Sequence, residues 1–164
     1  MAYTLNRRQR VEARNIILQA ARKMLAHEDA IHYTQGARRW QGLDKGLRVV
    51  KGEFPKYADC SSITTWMLWN ALTHAKRDLT IPDVVNGQHW DAGYTGTQRA
   101  HGKVVTGHLI VGDLVHYGPG TGAHVAMYIG GGKVFSHGSE NGPYKLPVHY
   151  RGDYSHARRY IRAR

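Results

Sequence analysis

Apolar residues recur at helical spacing over residues 9–27. Val11, Ile16, Leu18, Ala21 and Leu25 fall on one side, with Arg10, Arg14, Arg22 and Lys23 elsewhere. The spacing predicts an amphipathic helix within an N-terminal helical region of about 1–30. Its cationic face suits solvent or a polyanion, and a solvated outer face is the simpler reading. Over 31–58 Gly, Pro and charges break every period, which predicts loop. Periodicity returns at Cys60 and runs to Thr73. Ile63, Trp66, Met67, Asn70 and Ala71 share one face, while Leu68, Trp69 and Leu72 make the other side apolar too. A helix apolar on both sides is expected at the centre of the fold. Asp59 just before it is a good N-cap.

Residues 74–108 show no sustained period, and "LTIPDVV" within them reads as a short strand or the start of a loop. The period then drops to two. "HLIVGDLVHYG", "AHVAMYIGG" and "GKVFSHGS" read as three strands, the last two joined by a hairpin turn at "GGGK". The basic tail "YSHARRYIRAR" suits a last strand or a short helix. No internal repeat or low-complexity linker interrupts the chain. The order helix, loop, helix, antiparallel strands gives an α+β class in a single domain over 1–164.

Composition narrows the picture. With 164 residues, 41% hydrophobic and 21% charged, the chain is globular and long enough for one real core. One cysteine excludes an internal disulfide and cysteine-rich zinc sites. Lys and Arg number 23 against 12 Asp and Glu, a net charge of +11. Such a surface favours an anionic partner: nucleic acid, an acidic membrane or a bacterial cell wall. The first 27 residues lack a long apolar stretch and a small-residue cleavage site, so no signal peptide is expected. No run of 18 apolar residues is present, and no membrane span is expected.

The single cysteine sits where chemistry is possible. In the first turn of a helix, Cys60 lies at the positive end of the macrodipole, which favours the attacking thiolate. A lone cysteine is otherwise usually a small core hydrophobe, and the two readings balance. A nucleophilic thiol needs a base, and the base needs an orienting group. His124 opens the strand "HVAMYIG" and can project past the sheet toward a helix N-terminus. His137 ends the next strand, so the two histidines become neighbours in an antiparallel hairpin. Three residues at one helix start and two paired strand ends are far more specific together than any one alone.

"YADCSSITTWML", "VGDLVHYG" and "AHVAMYIGGGKVFSHG", in that order and spacing, resemble the NlpC-type family of murein peptidases over roughly residues 57–140. The resemblance implies a papain-like α+β core, with a central helix carrying the nucleophile packed on an antiparallel sheet. It implies Cys60 as nucleophile, His124 as base and a third polar residue that orients the imidazole, with no cofactor. Counted rigidly, the third slot falls on Ser136. A one-residue slip changes the face of a strand, and the extra glycine of "GGG" can form a bulge that brings in His137. His137 is the preferred third residue, because imidazole orients imidazole well. The resemblance also implies a tyrosine before the cysteine near the oxyanion, for which Tyr33 is the candidate, equally readable as a core-edge aromatic. Asp59 and Ser136 join it as oxyanion or site-lining residues. The Cys60 N–H is the natural first oxyanion donor.

"HYTQGARRWQG", "GYTGTQRAHGK" and "SHGSENGP" further resemble lysins of phages that infect actinobacteria. That implies a protein made in the host cytoplasm that reaches the wall through phage-made holes, acts as a monomer and has anionic peptidoglycan as partner. Cleavage is expected in the stem peptide, at the bond between D-glutamate and the diamino acid. An N-acetylmuramoyl-L-alanine amidase with the same Cys–His chemistry is the nearest rival. Metal-dependent hydrolysis would draw on His101, His108, His116, His124, His137 and Asp113, but no tight ligand spacing supports it. A nucleic-acid binder fits the charge, yet the basic residues are scattered and no such motif is present, so no nucleic-acid partner is expected. A glycosidase needs paired carboxylates, and Glu53, Asp59 and Asp113 make no compelling pair.

Overall fold

The computed structural model describes residues 4–81, 89–118 and 123–163. The reading of "LTIPDVV" falls largely on 82–88, outside the described residues.

Strand β1 (Thr4–Leu5) leads into helix α1 (Arg7–Leu25). Asn6 caps α1 in a reciprocal box. Its Oδ1 accepts from the Gln9 N–H at 2.8 Å, and Gln9 Oε1 accepts from the Asn6 N–H at 2.9 Å. The buried stripe is Ala13, Ile16, Ile17, Ala20, Ala21 and Met24, at the three-and-four spacing of a packed helix face. Val11, placed on the apolar side by the sequence pattern, is 52% exposed. It lies a half-turn off that stripe.

Residues 28–58 hold short elements, most of them in the stretch 31–58 where the sequence predicts loop. Single 3-10 turns at Glu28–Ala30, Ala37–Trp40 and Val49–Lys51 flank a four-residue helix α2 (Gln41–Asp44). Strands β2 (His32–Tyr33) and β3 (Tyr57–Ala58) pair in parallel. Each is too short to carry a period. Gly42 is required there, since a Cβ would lie 2.5 Å from Trp66 Cδ1.

Helix α3 (Cys60–Ala75) is buried from Ser61 through Leu72 without a break. It packs on α1 and on the sheet. Its buried polar groups are used: Trp66 Nε1 donates to the Leu47 carbonyl at 3.0 Å, and Asn70 Oδ1 accepts from the Val49 N–H at 3.1 Å. Truncating Trp66 to alanine would cost about 3–5 kcal/mol.

A short helix α4 (Thr95–Ala100), not anticipated in the sequence, follows and leads to β4 (Lys103–Val104). The three predicted strands are β5 (Leu114–Tyr117), β6 (His124–Gly130) and β7 (Lys133–Ser136). Then come β8 (Tyr144–Pro147), β9 (Tyr154–Arg159) and β10 (Arg162–Ala163). Strands β1 and β10 pair in parallel, tying the two ends of the described chain together. The main sheet has six antiparallel strands in the order β4-β9-β5-β6-β7-β8.

Alternation divides the sheet into two faces. Leu114, Val125, Met127 and Phe135 join α1 and α3 in the main core. Val115, Tyr117, Ala126, Val134 and Ala157 form a smaller cluster on the other face, with Val148. The mixed helix and antiparallel sheet is the α+β class that the sequence implies. Among the described residues, no helix is long and apolar enough to cross a membrane.

Candidate active site

Cys60 is the first residue of α3, where the backbone N–H has no intrahelical acceptor. Asp59 fixes that helix start. Its Oδ1 accepts from the Ser62 N–H at 2.8 Å and from the Ser61 hydroxyl at 3.1 Å, while Ser62 Oγ accepts from the Asp59 N–H at 2.9 Å. Its Oδ2 takes a 3.1 Å bond from Arg39. The carboxylate is therefore committed behind the thiol as a cap, and it is not among the residues that line the cleft in front of Cys60. That corrects its place among the site-lining residues.

The thiol itself is only partly buried as a residue, yet burial pushes it up from its ordinary range, and the Asp59 charge adds to the rise. Hydrogen bonding from the Val125 backbone, the Thr95 side chain and the Ser61 backbone pulls the other way. The helix terminus alone suggests a thiolate. In the folded protein desolvation and the adjacent carboxylate outweigh it, and the resting group is a thiol.

His124 is buried at the start of β6, with Nε2 2.8 Å from Ser136 Oγ. Ser136 Oγ lies in turn 3.3 Å from the Tyr150 hydroxyl. Burial, then the nearby Arg151 cation, lowers the imidazole to about 4, so it rests neutral. Cys60, His124, Ser136 and Tyr150 line one cleft of about 380 Å³, with Tyr33 and Arg151 on its walls. With Nε2 engaged by Ser136, Nδ1 is the ring nitrogen that this contact leaves free.

The expected contact between His137 and His124 is not formed, and the hairpin register explains why. At the turn Gly130 pairs with Lys133. Carried on, that register would pair Ala126 with His137 and put His137 on the face of His124. The register shifts between Tyr128 and Gly130, so Tyr128 pairs with Val134 and Met127 with Phe135. Ile129 is the extra residue of this bulge. The bulge thus brings Ser136 onto the face of His124 and turns His137 to the α3 side. The sequence reading invoked a bulge for the opposite result.

His137 is fully buried there, edge-on to Tyr33 with ring centroids 5.6 Å apart. Burial lowers its pKa, against the backbone groups of His32 and Ala58 that pull it back up. It acts as a wall behind Tyr33. Tyr33 itself lines the cleft. Its N–H donates to Glu140 at 2.9 Å, and its hydroxyl accepts from Gln35 Nε2 at 3.1 Å. Burial raises the phenol's pKa, which keeps it a donor.

Tyr150 and Arg151 escaped the sequence analysis. They lie in the turn between β8 and β9, a segment without period. The run "VHYRGDY", with two tyrosines and an arginine in seven residues, was the one available signal. Arg151 is gripped by Asp153 through bonds of 2.8 and 2.5 Å. Gly138 also matters: a Cβ on it would lie 3.0 Å from His124 Cε1. Among the described residues, no group of three or more His, Cys, Asp or Glu side chains could hold a metal ion. Asp113, a candidate ligand, is bound by Arg159 Nε and a terminal nitrogen at 2.8 and 2.7 Å. His116 instead stacks on His156 with ring centroids 5.0 Å apart.

A thiol, a neutral imidazole held from behind and a helix-start N–H form an apparatus for acyl transfer. Comparison with known proteins is consistent with this geometry. The model of the NlpC/P60 family matches residues 39–158. Curated proteins give no match. Among solved structures, NlpC1 from Trichomonas vaginalis aligns with a TM-score of 0.55 and 18% identity, over 97% of this chain and 46% of that one. A hypothetical invasion protein of Mycobacterium tuberculosis aligns with a TM-score of 0.59 and 21% identity, over 93% of this chain and 65% of that one. The P60 domain of an antigen from M. avium subspecies paratuberculosis gives a TM-score of 0.54 and 24% identity, over 91% and 97% of the two chains. These likenesses establish the fold. The chain thus spans less than half the length of the T. vaginalis protein.

Proposed function

The chain belongs to the NlpC/P60 family, cysteine peptidases that act on peptidoglycan, and on that premise we propose that it hydrolyses the wall stem peptide with Cys60, His124 and Ser136. The observation that carries this reading is the 2.8 Å contact of His124 Nε2 with Ser136 Oγ in the cleft that Cys60 lines.

The chemistry follows from the neutral resting pair. The mechanism assigns Nε2–H as donor to Ser136 Oγ, whose own proton turns to Tyr150, and this tautomer leaves the Nδ1 lone pair free. Cys60 Sγ attacks the peptide carbonyl carbon as its proton passes to Nδ1. The oxygen takes the negative charge, facing the Cys60 N–H at the helix start. The C–N bond then breaks, and the imidazolium gives its proton to the leaving amine. Water attacks the thioester with the same imidazole as base, which releases the acid and restores the thiol. Ser136 is uncharged, so its work is to hold the ring.

The bond assigned is that between D-glutamate and the diamino acid. The test is mass analysis of products from a purified muropeptide. Cleavage within the stem supports the assignment. Intact stem peptides freed from sugar would make the protein an amidase with the same residues.

A phage endolysin role is part of the proposal, supported by the actinobacteriophage-like stretches and the +11 charge. The protein would then be made in the host cytoplasm, act as a monomer and reach the wall through phage-made holes. Expression in a host cell without such holes should leave the culture intact, and adding them should lyse it. Lysis in both cases would contradict that route.

A further inference from the structure

Far from the cleft, α1, β4, β9 and β10 border a half-open cavity of about 520 Å³. Five cationic side chains line it: Arg10, Arg14, Lys103, Arg159 and Arg162. One carboxylate stands against them, Asp113, and Arg159 already holds it in a two-pronged bond. Among the described residues no carboxylate pairs with the other four cations. Arg10 spends one nitrogen on the Leu5 carbonyl at 2.8 Å. Arg14 Nε is buried with no hydrogen-bond partner. Burial, then Arg10 and Arg159, lowers the pKa of Arg14, so its charge is held among its own kind.

Like charges gathered around a hollow repel one another, and a buried guanidinium N–H without an acceptor carries a desolvation cost. A bound anion relieves both. Guanidinium forks match the oxygens of a phosphate in pairs, and the space far exceeds that needed for one carboxylate.

We propose that this cavity binds a phosphate-type oxyanion, supplied by the phosphodiester groups of a wall polymer. The choice of polymer rests on the proposed wall substrate, whereas the phosphate site does not. The cavity shares no lining residue with the catalytic cleft. Arg159 ends β9 and His124 begins β6, strands that run the same way on either side of β5, so the two sites lie toward opposite strand ends. The enzyme would be held to the wall while the cleft stays open to peptide.

The test is titration with inorganic phosphate at constant ionic strength, followed by calorimetry and amide chemical shifts. Saturable binding is expected, with acetate inert. Affinity should fall roughly tenfold in the double variant Lys103→Gln, Arg162→Gln, whose side chains sit at the rim and whose fold a thermal melt checks. A non-saturating response, or equal affinity in the double variant, would overturn the site. A second arm sediments Cys60→Ala protein with walls before and after hydrofluoric acid removes their phosphodiester polymers. Retention should drop several-fold on stripping; equal retention overturns the wall polymer as source. Hydrolysis of a soluble muropeptide is read separately. A chain that binds phosphate but leaves that peptide whole would sink the peptidase reading and not this one.

Discussion

Ser136 Oγ and His124 Nε2 stand 2.8 Å apart, joined across a hairpin whose bulge at Ile129 decides which side chain meets the imidazole. The contact supports the orienting role proposed for Ser136 and leaves His137 behind the wall.

Ser136→Ala should lower kcat roughly tenfold with KM little changed, since it removes one hydrogen bond that sets the ring. His137→Phe should keep kcat within about threefold, because the ring lies on the strand face away from His124 and the volume is nearly kept. Steady-state kinetics on a soluble muropeptide checks both. The reverse pattern would return His137 to the site.

The neutral resting pair fixes the pH profile. His124 must be unprotonated to accept the thiol proton, and it is lowered to about 4. The acid limb of kcat/KM should therefore fall well below the usual 6.5 of histidine. The Arg151 cation contributes to the lowering, so Arg151→Gln should move the limb to higher pH. A wild-type limb near 6.5 would contradict the buried imidazole.

The same burial bears on stability. An unfolded histidine takes a proton near 6.5, whereas folded His124 does so at about 4 and His116 at about 2. Both folded values are depressed, so their stabilising effect is full above 6.5 and is lost as pH falls through the window below it. Each can cost up to about 1.4 kcal/mol per pH unit there. Thermal melts from pH 7 to pH 5 should show a falling Tm, with a shallower slope for His116→Phe.

Asp59 holds the thiol up by its charge while it caps α3. Asparagine caps about as well, so Asp59→Asn should fold with a loss of about 1 kcal/mol from the Arg39 pair. Its Cys60 should alkylate faster at neutral pH, because burial alone then opposes the thiolate. Alkylation rates against pH measure this directly.

Gly138 leaves room for the catalytic ring. Its Cβ would lie 3.0 Å from His124 Cε1, so Gly138→Ala should displace the imidazole and cut kcat about tenfold or more. The melting temperature should change little, which separates this effect from misfolding.

What the sequence made legible was whatever carried a period or a cap. The helix at Cys60, with Asp59 before it, and the strands that begin at His124 and Lys133 lie where the pattern puts them, although the second ends at Ser136, one residue before the expected His137. Helix α4 is only six residues long, and strand β8 is largely exposed and so carries no alternation, which left both without a signal. The third residue of the site hinged on one extra residue in a turn, and the energy that selects a bulge there comes from packing Met127 and Phe135 against the core. Tyr150 and Arg151 reach the cleft through tertiary folding of a turn, which no local pattern records.

The most direct test of the central claim compares wild type with Cys60→Ala on purified peptidoglycan, with soluble fragments read by mass spectrometry. The account predicts peptide fragments from wild type alone, in folded samples of both proteins. The same fragments from both would remove Cys60 from the chemistry and contradict the account at its root.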